Sequence, residues 1–371
     1  MMIHYSDELF EKRDAIAALI EKQMLKKGIN KSSLCTKTGI SRPTLDKLLK
    51  GEITNKKNFD KHIDKIFHVL DIQPDSILKN NVKIRSIRSR LNISQQHISE
   101  ATHIPMERLT EIEAGDEASL SEYRDIAACL GTSTSVLKNE SVFESTTLGM
   151  NSMFADDNTE FGSFWGHIGI QPIHKDKHIW LPISDKTSSD IYSNMDKMYM
   201  IIPCMNNKVV LINTHNIKHI CLLDEACDSP DNIDWDRNVS EGEIPPVVYE
   251  ALEDYLYGYH ENMSEAFLNY MKRIVHEQGW TTDSLLKLQQ THFYFTDGSE
   301  LTDNINLGEY ENISDFVFSL LYFYDMNDLL PATLHYSNIV EAEHIIPLNN
   351  VSMITIPLTD LEKSILRLEE E

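Results

Sequence analysis

The stretch INKSSLCTKTGISRPTLDKLLKG at residues 29–51 recurs in pattern as ISQQHISEATHIPMERLTEIEAG at residues 93–115, 64 positions later and without a gap. The apolar and small positions coincide in the two copies. They are Ile29, Leu34, Cys35, Thr38, Ile40, Leu45, Leu48 and Gly51 in the first copy, and Ile93, Ile98, Ser99, Thr102, Ile104, Leu109, Ile112 and Gly115 in the second. This spacing predicts two short helices that are joined by a tight turn and that each bury one narrow face.

The duplication extends to whole domains of five helices each. In the first unit, residues 1–80, we expect helices at about 8–27, 31–38, 42–50, 57–70 and 74–78, with Gly28 as a stop signal and with Asn30 and Ser41 as N-caps. In the second unit, residues 81–138, we expect helices at 81–91, 95–102, 105–113, 119–130 and 133–138, with Ser94 as an N-cap. The fold class is therefore multidomain and begins with two all-α helix-turn-helix (HTH) domains.

Both units resemble the Cro/CI type, or XRE family, of phage-repressor DNA-binding domains. In that family a Ser-Gln pair opens the second helix and a Glu-x-Gly closes the third, and the second copy has Ser94-Gln95 and Glu113-Ala114-Gly115 at these places. The first copy departs from the motif with Asn30-Lys31 and Leu49, and the second has His103 where a turn glycine is usual. The resemblance covers about residues 10–138.

Charge is distributed unevenly along the chain. The net charge is −24, yet residues 1–80 hold 15 basic and 11 acidic residues, and residues 81–138 hold 7 and 8. Residues 139–371 hold 12 basic and 39 acidic residues. Because affinity for DNA depends largely on neutralising phosphates, the first unit is the better candidate for direct contact, and the acidic remainder should repel DNA and help to orient the protein.

The resemblance also implies which residues touch double-stranded DNA. In units of this family the third helix enters the major groove, where its first-turn side chains read base edges. By position, the first unit offers Ser41, Arg42, Thr44 and Lys47 for recognition, with Lys31, Ser32, Lys50, Lys56 and Lys57 around the phosphates. Arg42 is the leading candidate, because an arginine can make a bidentate contact with guanine; the alternative is a merely solvated face.

The corresponding face of the second unit is ambiguous. Its matching positions are Gln95, Gln96, Met106, Glu107 and Arg108. The two glutamines could contact phosphate and base, whereas Glu107 and its acidic neighbours at 111, 113 and 117 oppose a polyanion. The second unit therefore reads a second half-site, packs against the first unit, or mediates dimerisation.

A different architecture is expected after the second unit. Residues 139–160 read as a linker, residues 161–240 as a first β module, residues 241–290 as a helical connector, and residues 291–371 as a second β module with a helical insertion around 314–326. The connector holds a long amphipathic helix over 245–278. A weak repeat at an offset of 134, residues 212–222 against 346–356, favours two related antiparallel modules of the SH3-like or Sm-like kind.

Other classes of function find little support in the sequence. The five cysteines form no CxxC pair, and the histidines at 167, 174, 178, 335 and 344 lack the spacing of a cupin-type metal site, so we expect reduced thiols, no metal and no cofactor. Phosphate-loop, GxSxG and HExxH motifs are absent from the sequence, so we expect no catalytic residues and no enzyme activity. The sequence shows no secretion signal and no apolar run of membrane-spanning length, which predicts a cytoplasmic protein without a membrane partner. The resemblance to the XRE family implies a bacterial or phage origin.

The resemblance implies a sequence-specific transcriptional regulator, and family habit favours a repressor. A homodimer is expected, because two-fold pairing matches a palindromic operator. The acidic C-terminal region would assemble the oligomer or bind a ligand or protein partner. The main alternative is an antitoxin-like or anti-repressor protein whose acidic surface binds a basic partner while DNA binding is secondary. A third interpretation is a sensor whose β modules bind a small ligand or peptide.

Overall fold

The computed structural model describes residues 10, 13–70, 72, 83–143, 164–225, 234–235, 242–305, 312–322 and 331–370. These residues fall into two compact units, which differ from the two repeat copies. The first compact unit holds the described residues up to Leu130 together with Thr134–Glu140 and Glu261–Phe267, and the second compact unit holds the rest. None of the helices in these ranges combines the length and the apolar character that a membrane crossing requires.

The first copy of the repeat forms four described helices: α1 (Arg13–Lys26), α2 (Lys31–Thr38), α3 (Arg42–Leu49) and α4 (Lys56–Leu70). Their apolar faces meet in one core, in which the repeat positions Leu34, Ile40, Leu45 and Leu48 are buried. The predicted helix at 74–78 and the start of the predicted first helix lie outside the described residues.

The second copy repeats this order with α5 (Ile84–Arg90), α6 (Gln95–Thr102), α7 (Met106–Glu113), α8 (Leu120–Leu130) and α9 (Thr134–Lys138). The matching repeat positions Ile98, Ile104, Leu109 and Ile112 are again buried. The backbone N–H of Lys83 donates to the carbonyl of Leu137 at 2.7 Å, so the beginning and the end of the copy lie together.

Local capping chemistry explains why the helices begin and turn at matching places. Asn30 Oδ1 accepts from the Ser33 N–H at 2.9 Å, and Ser94 Oγ accepts from the His97 N–H at 3.1 Å. The residues that end α2 and α6 are both left-handed, with φ of 70° at Gly39 and 62° at His103. Ser41 occupies the predicted N-cap position of α3 with extended backbone angles, but its hydroxyl pairs with Thr44 Oγ1 at 2.8 Å and makes no cap bond to the backbone.

A buried carboxyl on α8 holds a segment that is distant in the sequence. Asp125 is only 3% exposed, and its Oδ1 accepts from the hydroxyl of Ser264 at 2.6 Å. Ser264 Oγ in turn accepts from the backbone N–H of Phe267, whose side chain is fully buried. Burial raises the pKa of Asp125 to about 6, because the charged form is poorly solvated there.

This carboxyl predicts an unusual pH dependence of stability. Asp125 holds its proton more tightly in the folded protein than in the unfolded chain, where its pKa is near 3.8. The protonated carboxyl therefore contributes its full share of the free energy of unfolding below about pH 4, and this stabilisation is lost as the pH rises through 6. Asp125→Asn, which keeps an acceptor for Ser264, should match the wild type at pH 4 and exceed its unfolding free energy by roughly 3 kcal/mol at most at pH 7.5. Denaturant titrations at both pH values test this, and an identical wild-type and variant pH profile would contradict it.

The second compact unit is built on ten described strands in antiparallel pairs. They are β1 (Phe164–Pro172), β2 (Ile179–Ser184), β3 (Tyr199–Cys204), β4 (Lys208–Asn213), β5 (Ile217–Asp224), β6 (Thr291–Phe295), β7 (Glu300–Asp303), β8 (Thr333–Ser337), β9 (Glu343–Pro347) and β10 (Val351–Pro357). Within the described ranges they form sheets with the orders β2-β1-β5, β3-β4-β10-β6-β7 and β8-β9. Asn207, with φ of 58°, lies in the turn between β3 and β4.

The five-stranded sheet lies at the centre of this unit and is buried on both faces. Along β4, Val210 and Ile212 pack into one core with β1 and β2, while Val209 and Leu211 face a second core. β4 pairs with β10 in the register Ile354↔Leu211. This sheet therefore contains strands from both of the predicted β modules.

Within the described residues after 164, the helices are α10 (Asp185–Ser193), α11 (Pro246–Glu250), α12 (Leu252–Tyr257), α13 (Glu265–Glu277), α14 (Thr282–Leu288), α15 (Asn312–Tyr322) and α16 (Leu358–Glu370). The predicted single long helix over 245–278 is wrong. Gly258 ends α12 in a left-handed conformation with φ of 76°, and Ser264 then caps α13. The predicted helical insertion is present as α15, and its last predicted residues, 323–326, lie outside the described part.

The two halves of the β region have the same order of elements: two strands, a helix, two strands, a 3₁₀ turn and a last strand. The 3₁₀ turns, Thr214–Asn216 and Leu348–Asn350, fall at the predicted offset of 134. In each half the first strand pairs with the second and the last. The SH3-like or Sm-like assignment stays a prediction.

Residues 141–143 of the predicted linker are part of the second compact unit. Phe143 is 5% exposed and packs into the core beside α15 and α16. Its backbone N–H and the Ser141 hydroxyl both donate to the carboxylate of Glu362. Residues 144–160 lie outside the described part. Four of the five cysteines lie in the described ranges, and none of these four forms a disulfide there.

Candidate nucleic-acid interface

The first copy presents the polar residues of the repeat on its surface. Among the predicted contacts, Ser32, Ser41, Arg42, Lys47, Lys50 and Lys57 are exposed, and Lys31, Thr44 and Lys56 are half-buried. The two helices that carry most of them begin at Lys31 and Arg42 and are joined by the left-handed turn at Gly39. The N-terminal turns of α2 and α3 therefore offer hydroxyl, ammonium and guanidinium donors to a common side.

A three-residue ionic network connects these two helices. Lys31 Nζ donates to Asp46 Oδ1 at 3.1 Å, and Arg42 Nε donates to Asp46 Oδ2 at 3.3 Å. Arg42 Nη1 also donates to Ser32 Oγ at 3.3 Å. The hydrogen bond from Lys31 holds the pKa of Asp46 below its usual value, so the carboxylate is charged at neutral pH.

Asp46 is a site residue that was not predicted from the sequence. A signal for it was available, because an acidic residue four positions after Arg42 on a helix lies beside it. Lys61 and Lys65, which were not predicted either, are exposed on α4 and extend the basic surface beyond Lys57.

We use the name reading face for the exposed surface at the start of the second and third helices of each copy, α2 and α3 in the first and α6 and α7 in the second. The two reading faces are built on matching helices and differ in chemistry. Arg108, the one basic residue of α7, donates to both carboxylate oxygens of Glu122 at 2.8 and 3.0 Å and to the carbonyl of Glu117 at 2.7 Å. The hydrogen bond from Arg108 lowers the pKa of Glu122 to about 2. The cation is thus compensated within the copy.

The two candidate glutamines of the second copy are also engaged. Gln95 Nε2 donates to Glu113 Oε2 at 2.9 Å, and Gln96 Nε2 donates to Glu100 Oε1 at 2.8 Å. Met106 and Glu107 are exposed. This face therefore presents an apolar side chain among acidic ones, which is unfavourable for a polyanion.

The second copy packs against the first, which is one of the three roles considered for it. Helix α7 contacts α1, and Lys22 Nζ of α1 pairs with Asp116 Oδ2 at 2.5 Å. Arg85 of α5 pairs with Glu21 Oε2 at 3.0 Å and donates to the carbonyl of Leu49 at the end of α3. Both copies belong to the first compact unit.

Two of the histidines considered for a metal site, His178 and His344, contact other side chains. His178 Nδ1 lies 2.6 Å from Asp234 Oδ1, and His178 Nε2 lies 2.7 Å from His219 Nδ1. His344 stacks on Tyr336 with ring centroids 4.7 Å apart. In the part of the chain that the structure describes, no three His, Cys, Asp or Glu side chains are arranged to hold a metal ion.

Comparison with known proteins gives one match. Residues 20–81 match the family model of the Cro/C1-type HTH DNA-binding domain. No curated protein and no solved structure is significantly similar to the chain. The match falls on the first copy, although the second carries the Ser-Gln and Glu-x-Gly residues of the motif. The family match, together with the helices and the exposed basic face, identifies residues 20–81 as a Cro/C1-type HTH DNA-binding domain.

Proposed function

We propose that the chain is a sequence-specific transcriptional regulator in which the first copy alone reads the DNA. The observation that carries this proposal is the contrast between the two copies. The first exposes Arg42 and Lys47 on α3, whereas the second has Met106 and Glu111 at the same positions, and its Arg108 is already paired. Because phosphate neutralisation supplies most of the affinity, only the first face suits a DNA groove.

The second copy is a second HTH fold whose role is structural. Its contacts with α1 and with the end of α3 support this part of the proposal, since they link it to the helices that carry the reading face. The second copy thus supports the first copy by packing against it and adds no base contacts of its own.

The acidic C-terminal region acts as the assembly or sensing part of a repressor that works as a homodimer. Its 39 acidic residues keep residues 139–371 away from phosphates. A dimer of the whole chain would place two reading helices on the halves of a palindromic operator. If the intact chain instead copurifies with a basic protein and leaves no sequence-specific footprint, the anti-repressor alternative is favoured.

Arg42→Ala tests the proposal at its leading residue. A duplex selected from a random pool by the intact chain provides the ligand, and its affinity should fall by about 10- to 100-fold, equivalent to about 1–3 kcal/mol, because a base contact is lost. The Arg42 side chain is 51% exposed, so the variant should remain folded. Fluorescence anisotropy at fixed salt measures the affinity, and an unchanged value in a folded variant would remove Arg42 from the interface.

A further inference from the structure

An acidic residue stands in the middle of the basic reading face. Asp46 is the one acidic residue of α3, and its carboxylate lies between Lys31 of α2 and Arg42 at the start of α3. A charged carboxylate at this place repels the phosphates of any duplex, whatever its sequence. Its presence therefore opposes DNA affinity in general.

The common fold does not require this residue. At an offset of 64, Lys31, Arg42 and Asp46 correspond to Gln95, Met106 and Thr110, and α6 and α7 still form at the matching positions with a left-handed residue between them. Thr110 Oγ1 donates to the carbonyl of Met106 within its own helix. The ionic network thus accompanies the basic face and not the helix-turn-helix geometry.

The contacts restrict the guanidinium of Arg42 at two points. Nε is held by Asp46 at 3.3 Å and Nη1 by Ser32 Oγ at 3.3 Å. An arginine has five N–H donors, so donors on the terminal nitrogens remain available to a base while the side chain is held. A restrained arginine loses less rotamer entropy when it binds and is aimed in one direction.

We propose that Asp46 is a positioning residue that orients Arg42 towards one base and Lys31 towards a phosphate, so that the protein gains sequence discrimination at the expense of general affinity. This inference rests on the proposed function of the first copy. It makes a two-sided prediction, because the same substitution must raise one affinity and lower one preference.

Asp46→Asn in the full chain tests the proposal. The probes are the selected duplex, the same duplex with the base pair read by Arg42 replaced, and a duplex of random sequence. Affinity for the random duplex should rise about threefold, because one repulsive charge is removed. The preference for the selected over the replaced base pair should fall about tenfold, because Arg42 is no longer held.

Two further variants separate positioning from charge. Asp64→Asn removes the same charge from an exposed position on α4 and should leave the base preference unchanged. In the Arg42→Ala background, Asp46→Asn should no longer alter the preference, since there is no guanidinium to position. Circular dichroism melts check that all variants are folded.

The outcomes distinguish this inference from the proposed function. A rise in general affinity with an unchanged base preference in Asp46→Asn would overturn the positioning role alone. An equal loss of preference in Asp64→Asn would also overturn it, because general electrostatics would then suffice. A wild-type chain without any base preference would overturn both the inference and the proposed function.

Discussion

Glu113→Ala is expected to lower the free energy of unfolding of the first compact unit, which contains both repeat copies, by about 3–5 kcal/mol. The Glu113 side chain is only 2% exposed and accepts from Arg88 Nε at 2.7 Å, from Arg88 Nη2 at 3.1 Å and from Gln95. Truncation would leave the guanidinium of Arg88, which is 15% exposed, without its counter-charge. Urea unfolding of the intact chain, followed by amide hydrogen exchange in α5–α8, measures the loss.

The first copy supplies the matched control for this prediction. Its residues at the equivalent positions are Met24 and Leu49, both buried in the core. Because a buried ion pair can be replaced by apolar residues of similar volume at little cost, Arg88→Met with Glu113→Leu should restore wild-type stability or exceed it. Glu111→Ala, on an exposed pair of the same helix, should cost less than about 1 kcal/mol. A double variant as unstable as Glu113→Ala would contradict this account of the network.

The second large effect is expected when the reading face of the first copy is given the residues of the second. The triple variant Lys31→Gln, Arg42→Met, Lys47→Glu should lose about 1,000-fold in affinity for the selected duplex, because the recognition residues Arg42 and Lys47 and the phosphate contact of Lys31 are lost. The slope of log affinity against log salt should become shallower by about 1, since one phosphate contact disappears. Anisotropy titrations from low to high salt measure both quantities. A variant that keeps the wild-type slope would contradict the assignment of Lys31 to a phosphate.

The repeat predicted the N-terminal fold closely because its signals are local. Caps at Asn30 and Ser94 and the left-handed turn at Gly39 depend on residues within one helical turn of each other, and all three appear in the structure. The broken helix shows where such reasoning fails. The apolar period continues from Val248 to Ile274, but Gly258 interrupts it with a left-handed residue that periodicity does not register.

The β region shows a second limit. The pairing of β4 with β10 joins residues about 140 positions apart, and nothing in either strand names its partner. Three elements were not predicted: α10, α16 and β7. Helix α16 had a readable signal, since Leu358, Leu361 and Ile365 are buried at helical spacing. Strand β7 is four residues long and mostly polar, so it carries almost no pattern.

The sequence predicted which residues belong to the candidate site, but it did not predict which side chains they contact. Position in the repeat indicated which side chains would be exposed around Arg42. It could not indicate that Arg108 would be neutralised by Glu122, fourteen residues away, because that contact depends on the packing of α7 against the start of α8. The asymmetry between the copies therefore follows from tertiary contacts as well as from charge.

A hydroxyl-radical footprint on the selected duplex tests whether the first copy reads DNA and the second does not. The intact chain is compared with Gln96→Ala/Met106→Ala, which removes two exposed side chains of the second reading face. We expect protection of one half-site per protomer, unchanged in this variant and absent in the triple variant of the first copy. A longer footprint that shrinks when only the second copy is altered would contradict it.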